Sequence, residues 1–319
     1  MDNHPNFPGP VASEATQGGL HGLLGGSDIK QLLASHGLAP TKKRGQNFVT
    51  DPNTVARIVR DAKVKPGDLI VEVGPGLGSL TLALLHAGAR VIAVELDHGL
   101  ADVVSELTKG AAIEVVCADA TNVDWAELTR GTPAKMVANL PYNVATPIVM
   151  QALKGGHLSG YHVMVQKEVG RRWCATVGDP ELGAVSMKMA LFGQTNIAGT
   201  VARQAFYPVP NVDSVTVSIT PYQESLTHHV VDLPHQPVIG PAGQAVHRDL
   251  LLRTCDVIDL GYAQRRKTLR NALANKQRKP AQIDHMLEAV SLPIGIRAEL
   301  LSPQNWVDLA NMFYRESWC

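Results

Sequence analysis

The sequence predicts an α/β protein whose parallel sheet is followed by a smaller C-terminal all-helical domain. Three observations carry this reading. From Leu69 to Gln166, short β-rich apolar runs alternate with helical patterns. A stretch rich in Pro, Gly and His then breaks the alternation at 221–243, and only helical periodicity follows it. Repetition of strand, helix and strand covers both faces of a sheet with crossover helices, which is the arrangement of a parallel sheet.

Residues 1–28 read as a flexible N-terminal tail. Their first 26 residues hold six glycines and three prolines, without the basic start and apolar stretch of a secretory signal. Strands are predicted over 69–73, 90–95, 113–117, 135–138 and 162–166. A strand pair follows at 195–202 and 214–220, the second with Val215, Val217 and Ile219 alternating on one face. The sheet domain therefore spans 29–221, a linker or insertion 222–243, and the helical domain 244–319. Helices are expected at 244–259, 262–275, 281–290 and 303–315, the last opening with Ser302 as N-cap and Pro303 at the first helical position.

The 319 residues suit about two domains at a prior of roughly 150 residues each. With 45% apolar and 18% charged residues the chain is an ordinary folded one and not disordered or coiled-coil. No apolar run reaches the roughly 18 to 20 residues of a membrane helix, so an integral membrane protein is not expected. Lys plus Arg, 29, balance Asp plus Glu, 29, so any nucleic-acid contact must rest on local charge. Cys117, Cys174, Cys255 and Cys319 are far apart with no C-x-x-C spacing, which favours a reducing cytoplasm and argues against a cysteine zinc site.

The richest segment is Leu69-Ile-Val-Glu-Val-Gly74-Pro-Gly76-Leu-Gly78-Ser-Leu-Thr-Leu, a buried strand turning through glycines into a helix. Such a turn brings backbone close to a ligand and aims helix N-terminal N–H groups at it. The dinucleotide pattern G-x-G-x-x-G is not met, because Ser79 stands three residues beyond Gly76; a nicotinamide oxidoreductase is weakened accordingly. Glu95 closes the next strand, 21 residues after Gly74, where it can accept hydrogen bonds from both hydroxyls of a ribose. Asp119 follows the third strand at the same carboxyl edge and can accept from an adenine amine. The combination resembles the Rossmann-like S-adenosylmethionine-dependent methyltransferase fold.

Asn139-Leu140-Pro141-Tyr142 follows the fourth strand, again at the carboxyl edge. An exocyclic adenine amine is a poor nucleophile, since its lone pair is delocalised into the ring. The Asn139 side-chain oxygen and the backbone carbonyl at Leu140 or Pro141 can accept its two N–H groups and stabilise the positive charge that grows on nitrogen. Pro141 brings no N–H of its own to that turn. Tyr142 offers a stacking face worth roughly 1 to 3 kcal/mol to a splayed base.

Five motifs narrow the resemblance: Gly45-Gln-Asn-Phe-Val49; Asn139-Leu-Pro-Tyr142 followed by Asn143 and Thr146-Pro147; Gln166-Lys-Glu-Val169; Phe206-Tyr-Pro-Val-Pro210 with Val212-Asp-Ser214; and Gln264-Arg-Arg-Lys-Thr-Leu-Arg-Asn271. Over 29–319 the chain resembles the bacterial 16S ribosomal RNA adenine N6,N6-dimethyltransferase family (KsgA/RsmA). The resemblance implies dimethylation of the N6 amines of two adjacent adenines in the 3′-terminal hairpin loop of 16S rRNA, on the assembling small (30S) subunit, by a cytoplasmic monomer contributing to ribosome biogenesis. It implies S-adenosyl-L-methionine as cofactor, S-adenosyl-L-homocysteine as product, and Asn47 and the Val49 backbone joining Gly74, Glu95, Asp119 and Asn139 in holding it. Tyr142 and Phe206 would flank the target adenine.

Arg265, Arg266, Lys267, Arg270, Lys276, Arg278 and Lys279, with no acidic residue among them, predict a phosphate-binding surface in the helical domain. Lys42, Lys43 and Arg44 form a second cluster. Three features depart from the family pattern: a longer N-terminal tail, the His228–His247 stretch with four histidines but no tetrahedral ligand spacing, and Arg171-Arg-Trp-Cys174. Two rival readings remain: a large-subunit rRNA adenine methyltransferase of the macrolide-resistance type, which the Gln264 to Asn271 motif disfavours, and an RNA-binding assembly factor with secondary catalysis.

Overall fold

A computed structural model describes residues 22–41, 45–222, 248–264 and 266–315. The first 21 residues of the expected tail, the Lys42 to Arg44 cluster, Arg265 and the four histidines of the 228–247 stretch lie outside them.

In chain order the elements are α1 (Gly26–Ser35), β1 (Phe48–Val49), α2 (Pro52–Asp61), β2 (Leu69–Val73), α3 (Ser79–His86), β3 (Arg90–Glu95), α4 (His98–Leu107), β4 (Ile113–Cys117), α5 (Trp125–Thr129), β5 (Ala134–Asn139), α6 (Ala145–Gly155) and β6 (Leu158–Gln166). They continue with α7 (Lys167–Trp173), α8 (Ala184–Phe192), β7 (Gly193–Val201), β8 (Phe206–Tyr207), β9 (Ser214–Pro221), α9 (Arg248–Tyr262), α10 (Leu269–Leu273), α11 (Pro280–Ala289) and α12 (Pro303–Arg315). The described residues form two compact units, one within Met1–Gly170 and Asn196–Thr220, the other within Arg171–Thr195 and Pro221–Cys319.

The first unit is built on a sheet of strand order β4-β3-β2-β5-β6-β9-β7. Pairing is parallel from β4 to β6 and antiparallel between β6 and β9, where Val163 faces Val217. All five residues of β2 are buried, as expected of a central strand covered on both faces. Helix α3 is apolar nearly all round, and its two sides enter different clusters: Leu80 and Leu84 pack with Ile70 and Val91, Leu82 with Ile29 and Leu100. Side-chain caps set where two neighbouring helices start: Asp51 accepts from the backbone of Asn53 and Thr54, and Asp97 from that of Gly99 and Leu100. Strand order reverses at β2, whose neighbours are β3 and β5, and such a switch point leaves a crevice at the carboxyl ends of the strands.

The second unit is helical and buries Trp306, Phe313, Leu269, Leu273 and Ile258. A Cβ on Gly261 would collide with the Trp306 ring, so glycine in α9 is what lets that indole pack on the helix.

Three expectations are corrected. The tail does not extend to residue 28, because Leu24 is already buried and α1 begins at Gly26. The helix expected over 262–275 is broken: the Leu269 N–H that would continue it donates instead to the Ile296 carbonyl at 2.7 Å. The boundary at 221 misses 171–195, which belongs with the C-terminal helices. There the Ser186 hydroxyl donates to the Arg172 carbonyl at 2.6 Å and Lys188 pairs with Asp259 at 2.5 Å. Helix α8 is buried on several faces, and periodicity reveals such burial without saying which core receives it. Among the described residues no helix is long and apolar enough to cross a membrane.

Candidate active site

A cavity of about 310 Å³ lies at the carboxyl ends of β2, β3, β4 and β5, on the switch point. Its floor is the glycine turn. Gly74, Gly76 and Gly78 have φ of 69°, 60° and 86°, the left-handed region that glycine enters without a steric cost. A Cβ on Gly74 would stand 3.2 Å from Pro141 Cγ, and one on Gly76 would stand 2.9 Å from Phe48 Cδ1. The turn is thus seated between the reactive tetrapeptide and β1.

Glu95, 7% exposed at the end of β3, accepts the Gly76 N–H at 3.2 Å on one oxygen and the Asp97 N–H at 3.0 Å on the other. Burial raises its carboxyl above the ordinary range, against the lowering effect of those N–H groups. The Leu96 N–H also bonds to this carboxyl, and the four lone pairs of a carboxylate leave acceptor capacity for a ligand hydroxyl. Asp119 is exposed beyond β4, and its Oδ1 accepts the Thr121 hydroxyl at 2.7 Å and the Thr121 N–H at 2.9 Å. Those two bonds hold its carboxyl below the usual range, so it stays an ionised acceptor.

Opposite the glycines, the Asn139 amide nitrogen donates to the Asn47 carbonyl at 3.1 Å, and the Asn47 amide turns back to the Gly45 carbonyl at 3.1 Å. A carbonyl can only accept, so this contact fixes which end of the Asn139 amide is which. Its Oδ1 is buried and has no hydrogen-bond partner. The Pro141 carbonyl accepts the Val144 N–H at 3.2 Å, which leaves Leu140, held by its own N–H to the Met164 carbonyl at 3.1 Å, to present the more available carbonyl at this turn. Tyr142 is half-buried, its phenol pushed up by burial and bonded to the Ser214 hydroxyl at 2.7 Å. The Val49 carbonyl accepts from the buried Ser79 hydroxyl at 2.8 Å, tying β1 to the start of α3.

Asn47, Val49, Gly74, Glu95, Asp119, Asn139, Leu140, Pro141 and Tyr142 therefore line one cavity. Phe206 does not. In the β1/β8 ladder Phe48 pairs with Tyr207 and Val49 with Phe206, and directly paired residues share a face. The Val49 and Phe206 side chains enter the core with Val55 and Ile58, and Phe206 is 2% exposed, while Phe48 and Tyr207 pack with Leu77 on the other side. Helical-domain cations also sort by environment. Arg266, Lys267, Lys276 and Lys279 are exposed, whereas Arg270 pairs with Asp284 at 2.6 Å. Arg278 is 9% exposed, donating to the Leu273 carbonyl at 3.0 Å with its guanidinium 5.5 Å from the Phe313 ring centre.

Sequence reasoning gave no role at the site to Glu72, Thr121, Phe48 or Ser214, the last two appearing only inside quoted motifs. The Asp-x-Thr spacing of a side-chain turn could have signalled Thr121. Glu72, the one charge in the β2 run, was visible as an interruption of it.

A sheet parallel from β4 to β6, with its glycine turn, acidic strand ends and Asn-Leu-Pro-Tyr turn gathered at the switch point, defines a methyltransferase of the Rossmann-like class. The chain belongs to the ribosomal RNA adenine dimethylase family, whose model matches residues 39–235. It is 44% identical over 295 residues to the ribosomal RNA small subunit methyltransferase A of Leifsonia xyli subsp. xyli, covering 90% of this chain and 98% of that one. The corresponding enzyme of Streptomyces griseus subsp. griseus is 40% identical over 295 residues, covering 90% of this chain and 94% of its own. Among solved structures, a dimethyladenosine transferase from Plasmodium falciparum shares the fold at TM-score 0.65 and 22% identity, covering 85% of this chain and 98% of that one. The 23S rRNA methyltransferase ErmE does so at TM-score 0.59 and 24% identity, covering 83% and 99%.

Proposed function

We propose that this chain transfers methyl groups from S-adenosylmethionine to the N6 amines of two adjacent adenines near the 3′ end of 16S rRNA. It acts as a cytoplasmic monomer on the assembling small subunit. Family membership and the small-subunit relatives support the substrate class. The observation that carries the chemistry is the buried, partnerless Oδ1 of Asn139, oriented by the Asn47 carbonyl. A buried acceptor without a donor is costly and is expected to meet one from a ligand.

The cavity fits this cofactor. A glycine turn in left-handed backbone admits close approach of a ligand, Glu95 keeps acceptor capacity for a ribose hydroxyl, and Asp119 is an ionised acceptor for an adenine amine. Bound S-adenosylmethionine supplies an activated methyl group. The chain's own work is then alignment and charge stabilisation. Asn139 Oδ1 and the Leu140 carbonyl accept the two N–H groups of the target amine and favour a pyramidal nitrogen whose lone pair points away from the ring. They also lie where positive charge grows as the new N–C bond forms. Tyr142 supplies the stacking face. Arg266, Lys267, Lys276 and Lys279 supply phosphate contacts, which position the RNA without reading its sequence.

The test is methyl transfer from labelled S-adenosylmethionine to small subunits lacking these methyl groups, with large subunits, naked RNA and DNA alongside. Dimethyladenosine on small subunits alone is expected. Label on large-subunit RNA would assign the chain to the other rRNA class, and subunit binding without any label would leave an assembly factor.

A further inference from the structure

Ser214 is absent from the cavity wall and 0% exposed, yet its hydroxyl reaches the phenol oxygen of Tyr142 at 2.7 Å. It opens β9, in register with Gln166 of β6. The residue before it is held from two sides: the Asp213 carbonyl accepts the Lys167 N–H at 3.0 Å, and its carboxylate accepts the Arg203 N–H at 3.1 Å. Ser214 is therefore a fixed point of the sheet. Tyr142 is attached at its other end to the turn that carries Asn139, whose position is set by Asn47.

We infer that Ser214 is a positioning residue for methyl transfer: its hydrogen bond to Tyr142 holds the ring at the place beside Asn139 where the target base stacks. The inference rests on the proposed function, from which the stacking role of Tyr142 comes. The phenol oxygen lies at the far end of the ring axis, so a bond there stops the first side-chain torsion from swinging that axis and fixes where the ring stands beside the turn. Ring and amide acceptor are then mutually fixed before substrate arrives, which is where preorganisation acts on rate. The contribution of the Phe206 to Ser214 motif to the site thus comes from its last residue, while its first residue fills the core.

The experiment uses the full chain with undermethylated small subunits and compares Ser214→Ala, Tyr142→Phe, their double variant and Tyr142→Ala. Each single hydroxyl deletion is expected to lower kcat by about tenfold, the scale of one hydrogen bond, with the double variant no slower than either single. KM for the subunit and the affinity for S-adenosylmethionine should move less than about twofold, because both rest chiefly on contacts away from this ring. Losses that multiply in the double variant, or Tyr142→Phe at the wild-type rate, overturn the inference. Should Ser214→Ala fail to fold, Tyr142→Phe decides alone. Wild-type turnover by Tyr142→Ala would instead defeat the stacking role itself; a dead Tyr142→Ala beside a fully active Tyr142→Phe would leave that role standing and remove only this inference.

Discussion

The amide nitrogen of Asn139 donates to the backbone carbonyl of Asn47 across 92 positions of sequence. This contact joins the segment before β1 to the turn after β5 and leaves the Asn139 oxygen as a buried acceptor with nothing to accept. Gly45, with φ of 63°, lies against the same turn, where a Cβ would stand 2.5 Å from Asn143 Oδ1.

Asn139→Ala removes that acceptor while leaving Glu95, Asp119 and the glycine turn in place. The rate of methyl transfer should fall by about 10²-fold or more, the usual loss for one preorganised transition-state contact. Affinity for S-adenosylmethionine, read by calorimetry, should fall much less. Equal losses in both would mean that the residue only binds cofactor.

Gly76→Ala and Gly78→Ala separate backbone strain from collision. Both glycines have positive φ, 60° and 86°, but a Cβ at 76 meets Phe48 at 2.9 Å while the nearest atom to one at 78 is 3.8 Å away. Strain alone costs roughly 1 to 2 kcal/mol. Gly76→Ala should therefore show the larger drop in Tm and the larger loss of cofactor affinity. The reverse order would contradict the Phe48 contact.

Glu72 is fully buried, with the Thr81 hydroxyl donating to it at 2.6 Å. Burial chiefly, with the nearby Glu95 charge adding to it, pushes its carboxyl from 4.5 up to about 8. Between those values the folded chain holds a proton that the unfolded chain has released, so stability falls as pH rises through that window. Tm should decline from pH 5 to 8, and Glu72→Gln should flatten the decline and melt higher at the alkaline end. Parallel curves for the two proteins would refute this.

Removing Lys267 or Lys279 should weaken RNA binding and lower the slope of log K against log salt by about one each. Arg278→Ala should instead lower Tm with little change in slope, because that guanidinium is spent on the Leu273 carbonyl and the Phe313 ring. Filter binding across a salt series, beside thermal melts, distinguishes the two groups.

Much of the sheet was legible because its cues are local. The runs around Leu69, Arg90 and Ile113 carry the period and composition of strands, and Gly74, Glu95 and Asp119 sit at strand ends by sequence count alone. Less legible was anything that depended on a partner far along the chain. Beyond the end of α9 the Leu269 N–H goes to the carbonyl of Ile296, a partner distant along the chain that no periodicity near 262 records.

The sequence by itself determined the order of the strands along the chain, the glycine turn and the chemistry of the acceptors at the sheet edge, since residue type and spacing set these. Tertiary structure alone decided which acceptor is left partnerless, which cations are spent on their own domain, and that Phe206 faces the core while Ser214 reaches Tyr142. Those outcomes follow from ladder register and burial, which arise only when distant segments meet and compete for the same donors, acceptors and space.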